Sequence, residues 1–133
     1  MSDKINIEDI ILPINKIATV NENAFLKEAL ERMSEFHIGI CCIVNNNKIK
    51  GIITDGDIRR KILNLQKPFS AFLVDEVIAH ANLNPKVLKI NDDILNAIKI
   101  MEQNKIWDIP IIDNNENFIG LLHLHPVVKK FIL

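Results

Sequence analysis

Ile38-Gly39-Ile40-Cys41-Cys42-Ile43-Val44 is an unbroken apolar run, and the segments after it follow a definite order: Asn45-Asn46-Asn47-Lys48, then Ile49-Lys50-Gly51-Ile52-Ile53-Thr54, then Asp55-Gly56-Asp57-Ile58-Arg59-Arg60. The first run, rich in Ile, reads as a buried strand. Asparagines tolerate left-handed backbone, so the polar stretch lets the strand reverse into the second run. A helix is predicted from Asp57 to about Leu65, with Asp57 as its cap.

The same order returns further along. Ile106-Trp107-Asp108-Ile109-Pro110-Ile111-Ile112 is followed by Asp113-Asn114-Asn115-Glu116-Asn117 and by Phe118-Ile119-Gly120-Leu121-Leu122-His123. A helix is predicted from about Pro126 to Ile132, with Pro126 at its first position. Upstream, Leu26, Ala29, Leu30 and Met33 share one helical spacing with Ile94, Ala97, Ile98 and Met101, each set forming a single apolar stripe. Thr19-Val20-Asn21-Glu22 matches Lys89-Ile90-Asn91-Asp92, and Ile7-Glu8-Asp9-Ile10 matches Val74-Asp75-Glu76-Val77, 67 residues on. The chain therefore reads as an α/β (α+β) fold of two βαββα repeats, residues 1–66 and 67–133, joined through Leu65 to Phe72. A unit of about 60 residues is marginal alone. The repeats are expected to share a core through a pseudo-twofold axis, leaving clefts where α/β folds bind ligands.

Composition narrows the function. With 133 residues, 48% hydrophobic and 25% charged, the chain is neither disordered nor a disulfide scaffold. Sixteen basic against seventeen acidic residues give a net charge of −1, which supplies no bulk field for nucleic acid or an anionic membrane. No apolar stretch approaches the roughly 20 residues that span a bilayer, and Met1-Ser2-Asp3-Lys4 has no signal-peptide core. A cytoplasmic location is expected. Cys41 and Cys42 point to opposite faces of a strand and read as reduced packing residues.

Read together, these residues resemble a known family, the tandem cystathionine-beta-synthase (CBS) domain pair, or Bateman module. The resemblance runs from about Ile7 to about Phe131, and its most specific piece is Gly51-Ile52-Ile53-Thr54-Asp55-Gly56-Asp57. Thr54-Asp55-Gly56-Asp57-Ile58-Arg59-Arg60 with Gly120-Leu121-Leu122-His123-Leu124-His125 is most similar to the CBS pair of arabinose-5-phosphate isomerases of the Kdo pathway. It is also similar to CBS pairs attached to sugar-phosphate nucleotidyltransferases. Neither catalytic domain is present, so the resemblance implies a regulatory portion rather than an enzyme.

It further implies an adenosine-type or other nucleotide ligand, whether AMP, ATP, S-adenosylmethionine, CMP or CMP-Kdo. Thr54 and Asp57 are the first candidates, because an Asp at a helix start can accept hydrogen bonds from ribose hydroxyls with a Thr hydroxyl beside it. The plainer reading, a helix cap and a strand end, is compatible with that role. Arg59 and Arg60, read as first-turn cations opposing the helix dipole, would be relieved by a phosphate or a neighbouring carboxylate. The base is expected between Thr19-Val20 and Ile38-Gly39-Ile40, with Thr19 near the phosphates. His37 can pair with a phosphate, although a surface position is expected for it.

The second repeat departs from the motif, with His123 where Thr54 stands and Pro126 in place of Asp57. A second cleft would use Lys89, Ile106, Trp107, Asp108, His123 and His125. Trp107 can stack on a base, yet a lone Trp in a small protein is expected to be core packing. His123 and His125 share a strand face, but two ligands alone do not make a metal site, and none is expected. Gly51 and Gly56 are not followed by the Lys-Ser/Thr of a P-loop, and no nucleophile elbow or zinc-protease motif occurs. Sensing through a nucleotide, in a homodimer with Phe69, Phe72 and Phe131 near its contact, is the expected function. The alternative is a structural homodimerisation module with vestigial clefts, and a stand-alone nucleotide enzyme would have to form product.

Overall fold

The computed structural model of the chain describes residues 5–123. Its strands are β1 (Leu12–Pro13), β2 (Ala18–Asn21), β3 (Ile40–Asn45), β4 (Lys48–Thr54), β5 (Leu88–Lys89), β6 (Asp108–Ile112) and β7 (Phe118–His123). The helices are α1 (Leu26–Phe36), α2 (Asp55–Leu63), α3 (Phe69–Leu73) and α4 (Ile94–Asn104), with 3₁₀ turns at Ile7–Asp9, Ile14–Lys16 and Val77–Ala79. Two compact units result, one of residues 16–85 and the other of residues 1–15 together with 86–133.

In the first unit the sheet order is β2-β3-β4. β2 and β3 run parallel, as a crossover through α1 requires, and β3 and β4 form the expected hairpin. Asn46 and Asn47 take positive φ, 51° and 64°, the backbone a tight hairpin needs and asparagine accepts at low cost. Leu26, Ala29 and Met33 of α1 are buried against Cys41, Ile43 and Ile53, so the helical stripe meets one face of the sheet. Both cysteines are buried and unbridged.

The second unit repeats the arrangement with an added strand, in the order β1-β7-β6-β5. Ile94, Ala97 and Met101 of α4 pack on Ile109, Ile111 and Leu122. α1 and α4 both end on a left-handed residue, His37 and Lys105, each at φ 53°. The cross-strand pairs correspond as well. Ile40 faces Thr54 and Asp108 faces His123, and each hairpin carries an irregularity near its turn.

Structural register corrects two of the sequence matches. Leu88 and Lys89 pair with Ile111 and Ile112, where Val20 and Asn21 pair with Ile43 and Val44. Lys89 is thus the counterpart of Asn21, and Val87 that of Thr19. The lead-in segments correspond at 70 residues rather than 67: the turn at Ile7–Asp9 matches that at Val77–Ala79. Leu12 crosses β7 at Leu121 as Asn82 crosses β4 at Ile52. The chain between Leu65 and Phe72, read as a connection, contains the start of α3. The helix predicted at 126–132 lies outside the described residues.

The interleaving explains two glycines. A Cβ on Gly51 would stand 2.9 Å from the carbonyl oxygen of Asn82, and one on Gly120 would stand 2.5 Å from that of Leu12. In each unit a lead-in strand crosses the hairpin too closely for any side chain there.

Candidate functional site

β4 ends at Thr54, and the chain turns directly into α2. Thr54, not Asp57, is the helix cap: its Oγ1 accepts from the Asp57 amide at 3.1 Å. The Asp57 Oδ2 accepts in return from the Thr54 amide at 3.0 Å. This reciprocal pair satisfies two orphan donors at the helix start. With Asp55 in the first turn as well, the acidic groups complement the helix dipole. Because α2 starts at Asp55, Arg59 and Arg60 fall beyond the first turn, and the expected clash with the dipole does not arise. Arg60 Nη2 instead donates to Asp57 Oδ1 at 2.8 Å, while Arg59 is exposed. An ionised carboxylate offers about four acceptor positions. Thr54 and Arg60 use two, so Asp57 retains capacity for hydroxyl donors.

Beside this cap lies a depression of about 360 Å³ lined by Ser34, His37, Ile38, Gly39 and Asp55, with Leu30 and Met33 behind. The Asp55 amide donates to the Gly39 carbonyl at 3.0 Å, tying the start of α2 to the residue that leads into β3. The Asp55 carboxylate lies over Gly39, where an added Cβ would meet Oδ2 at 2.9 Å. Asp55, Ser34 and Leu30 were not among the residues expected from sequence. The available signal was Gly39 itself, a residue without a side chain inside a run of bulky apolar ones. With a carboxylate on its rim, the depression favours hydroxyl or amine donors over phosphate.

The remaining expected residues separate. His37 is exposed, as anticipated, and Ile40 is buried. Thr19 and Val20 sit on β2, level with Cys42 and Ile43, and do not line the depression. The Thr19 carbonyl accepts from Arg32 Nε at 3.4 Å. Phe72, offered for a contact surface, is fully buried in the core, whereas Phe69 is exposed. Phe131 lies outside the described residues.

In the second unit, His123 Nδ1 lies 2.6 Å from Asp108 Oδ1. This polar pair takes the positions held by Thr54 and Ile40. Burial pushes the Asp108 carboxyl above its ordinary range, and the bond from His123 partly offsets that shift. Trp107, expected in the core, is 63% exposed beside the pair, because it stands at the position of Gly39 and its side chain projects outward. Ile106 packs against the core. Lys89 does not join them. It pairs with Ile112, four residues beyond Asp108, or roughly 13 Å along the strand. His125 lies outside the described residues. Among the described residues, no helix is long and apolar enough to cross a membrane.

Comparison with known proteins agrees with this duplicated plan. A Helicobacter pylori protein is 32% identical over 127 residues, 94% of this chain and 37% of its own length. Arabinose 5-phosphate isomerase KdsD of Francisella tularensis is 27% identical over 125 residues, again 94% of this chain and 37% of the isomerase. The chain therefore spans little more than a third of these curated relatives. The crystal structure of CBSX2 in complex with AMP has the same fold, with a TM-score of 0.82 at 21% identity over 96% of each chain. The family description of the CBS domain fits residues 7–64 and again residues 74–129, and on that double match the chain belongs to the CBS domain family.

Proposed function

We propose that the chain is a ligand-sensing regulatory module of a larger protein, binding a nucleotide whose sugar is taken by Thr54 and Asp57. The observation that carries this reading is the reciprocal Thr54–Asp57 cap, which orients a carboxylate at a helix start and leaves part of its acceptor capacity open. Ile38 and Gly39 border the space for the base, and the exposed Arg59 is available to a phosphate. The AMP complex of CBSX2 supports an adenosine nucleotide. The KdsD relatives support a sugar-phosphate isomerase as the activity under control, with CMP or CMP-Kdo as further ligands to consider. A nucleotidyltransferase is the other catalytic partner the motif suggests. Regulation would follow from unequal affinity of the nucleotide for two states of the whole protein. A cytoplasmic homodimer is part of this reading.

One observation favours a second reading, a structural dimerisation module. Asp57 Oδ1 is already held by Arg60, and in the second repeat the counterpart of Thr54 is His123, engaged with Asp108. Calorimetry with AMP, ATP, S-adenosylmethionine, CMP and CMP-Kdo separates the two. Saturable binding that disappears in Asp57→Ala supports sensing. Silence across the series, with a dimer in sedimentation, supports the structural reading.

A further inference from the structure

The unit of residues 16–85 has another concave surface, formed where α2 ends and the chain passes to α3. A depression of about 370 Å³ is lined there by Lys61, Asn64, Gln66, Lys67 and His80, with Leu65 and Phe72 supplying apolar surface. It shares no lining residue with the depression beside Thr54 and Asp57. Two ammonium groups line it, and that of Lys67 is paired with the Asp75 carboxylate.

His80 gives the depression a defined chemistry. Lys67 Nζ donates to both oxygens of Asp75, at 2.8 and 2.6 Å, and His80 Nε2 lies 2.7 Å from Asp75 Oδ2. The bonds from Lys67 and His80 hold the Asp75 carboxyl below its usual range. Asp75 is therefore an ionised acceptor, and Nε2 carries the hydrogen of that contact. The ring is fixed further by its edge contact with Phe72, at 4.9 Å between centroids. Its other nitrogen, Nδ1, is buried without a hydrogen-bond partner among the described residues. A buried polar atom in that state is destabilising unless a ligand or water satisfies it.

We infer that this depression is a second ligand site, for a small oxyanion of the phosphate class, independent of the Thr54–Asp57 site. Lys61 supplies positive charge, Lys67 a further donor beside its Asp75 partner, the Gln66 amide neutral donors, and Nδ1 accepts from a protonated oxygen of the ligand. Ligand pockets run from about 300 to 1,000 Å³. This one is at the small end, suited to phosphate or a compact phosphomonoester lying on Leu65.

The test is a titration of the full chain at constant ionic strength, with inorganic phosphate in one arm and glycerol 3-phosphate in the other. Backbone amide shifts and the ring nitrogens of His80 are followed by NMR. Expected are saturable shifts at residues 61–67 and at His80, roughly tenfold weaker affinity in Lys61→Gln, and unchanged affinity in Asp57→Asn. The tighter arm identifies free phosphate or the phosphomonoester as the better match. Lys61 is exposed, so its variant keeps the fold, which circular dichroism checks. Shifts that fail to saturate, that chloride reproduces, that ignore Lys61→Gln, or that centre on residues 54–57 overturn the proposal.

Discussion

Asp57 does two things whose energies can be separated. The capping box should stabilise the start of α2 by about 1 kcal/mol, so Asp57→Ala is expected to lower unfolding free energy by that amount in urea melts without nucleotide. If the same carboxylate holds a sugar, the gap between wild type and Asp57→Ala widens when nucleotide is added, because only the native state binds it. An unchanged gap would mean the residue is a cap alone. Cys41 yields a pH prediction. Burial pushes its thiol up to about 12, from 9.0 in the unfolded chain. The folded state then keeps a proton that the unfolded state loses, so this contribution is intact below about pH 9 and is lost as pH rises towards 12. Wild type should fall relative to Cys41→Ala by about 1.4 kcal/mol per pH unit within that window, read from denaturant midpoints. Native Cys41 should also resist thiol reagents at neutral pH, because the thiolate is the reactive form.

For the elements, the crossings at Gly51 and Gly120 make the sharpest forecast. A Cβ at Gly120 would meet the Leu12 carbonyl and the Ile11 side chain within 2.6 Å, a tighter fit than the 2.9 Å at Gly51. Gly120→Ala should therefore cost more than Gly51→Ala, with both losses about 1–3 kcal/mol or above, and calorimetric melting temperatures should rank them in that order. The hairpins and the α1 and α4 stripes were legible in the sequence because their signals are local: Asn46 and Asn47 announce a turn, and Leu26, Ala29 and Met33 announce a helix face. The lead-in register was not. At the structural offset Ile7-Glu8-Asp9-Ile10 falls on Val77-Ile78-Ala79-His80, which has no acidic pair, so the acidic pattern pointed to another alignment and only the crossings of Leu12 and Asn82 select this one. Lys89 was misassigned for a similar reason, since two-residue β5 carries too little pattern to fix its register. At the candidate site, Thr54 and Asp57 could be found from the motif, whereas Asp55 joins it through the Gly39 carbonyl, a contact between distant segments. The outward Trp107 could not be read, because composition alone favours burying a lone Trp.

On the scale of the molecule, repeats in sequence and units in space do not coincide. The boundary near residue 66 cuts the first unit before Phe72 and Val77, both fully buried in its core. A fragment of residues 16–85 should accordingly be better folded than one of residues 1–66. Near-complete loss of amide protection in the longer-reaching fragment, with protection kept in 1–66, would refute the observed division. Removing residues 1–15 should loosen β7 and expose Ile109 and Leu122, since Ile7 and Ile10 lie in that core. Hydrogen exchange would register this more than 100 residues from the deletion.

The pairing of Leu12–Pro13 with Gly120 and Leu121 also constrains the order of events during synthesis. β1 has no mate until β7, more than 100 residues further on, has left the ribosome, while the intervening unit is free to form earlier. Completing the sheet means closing a long loop against its entropy. Until then Leu12 and Pro13 wait unmatched, and their sheet is the later of the two to close.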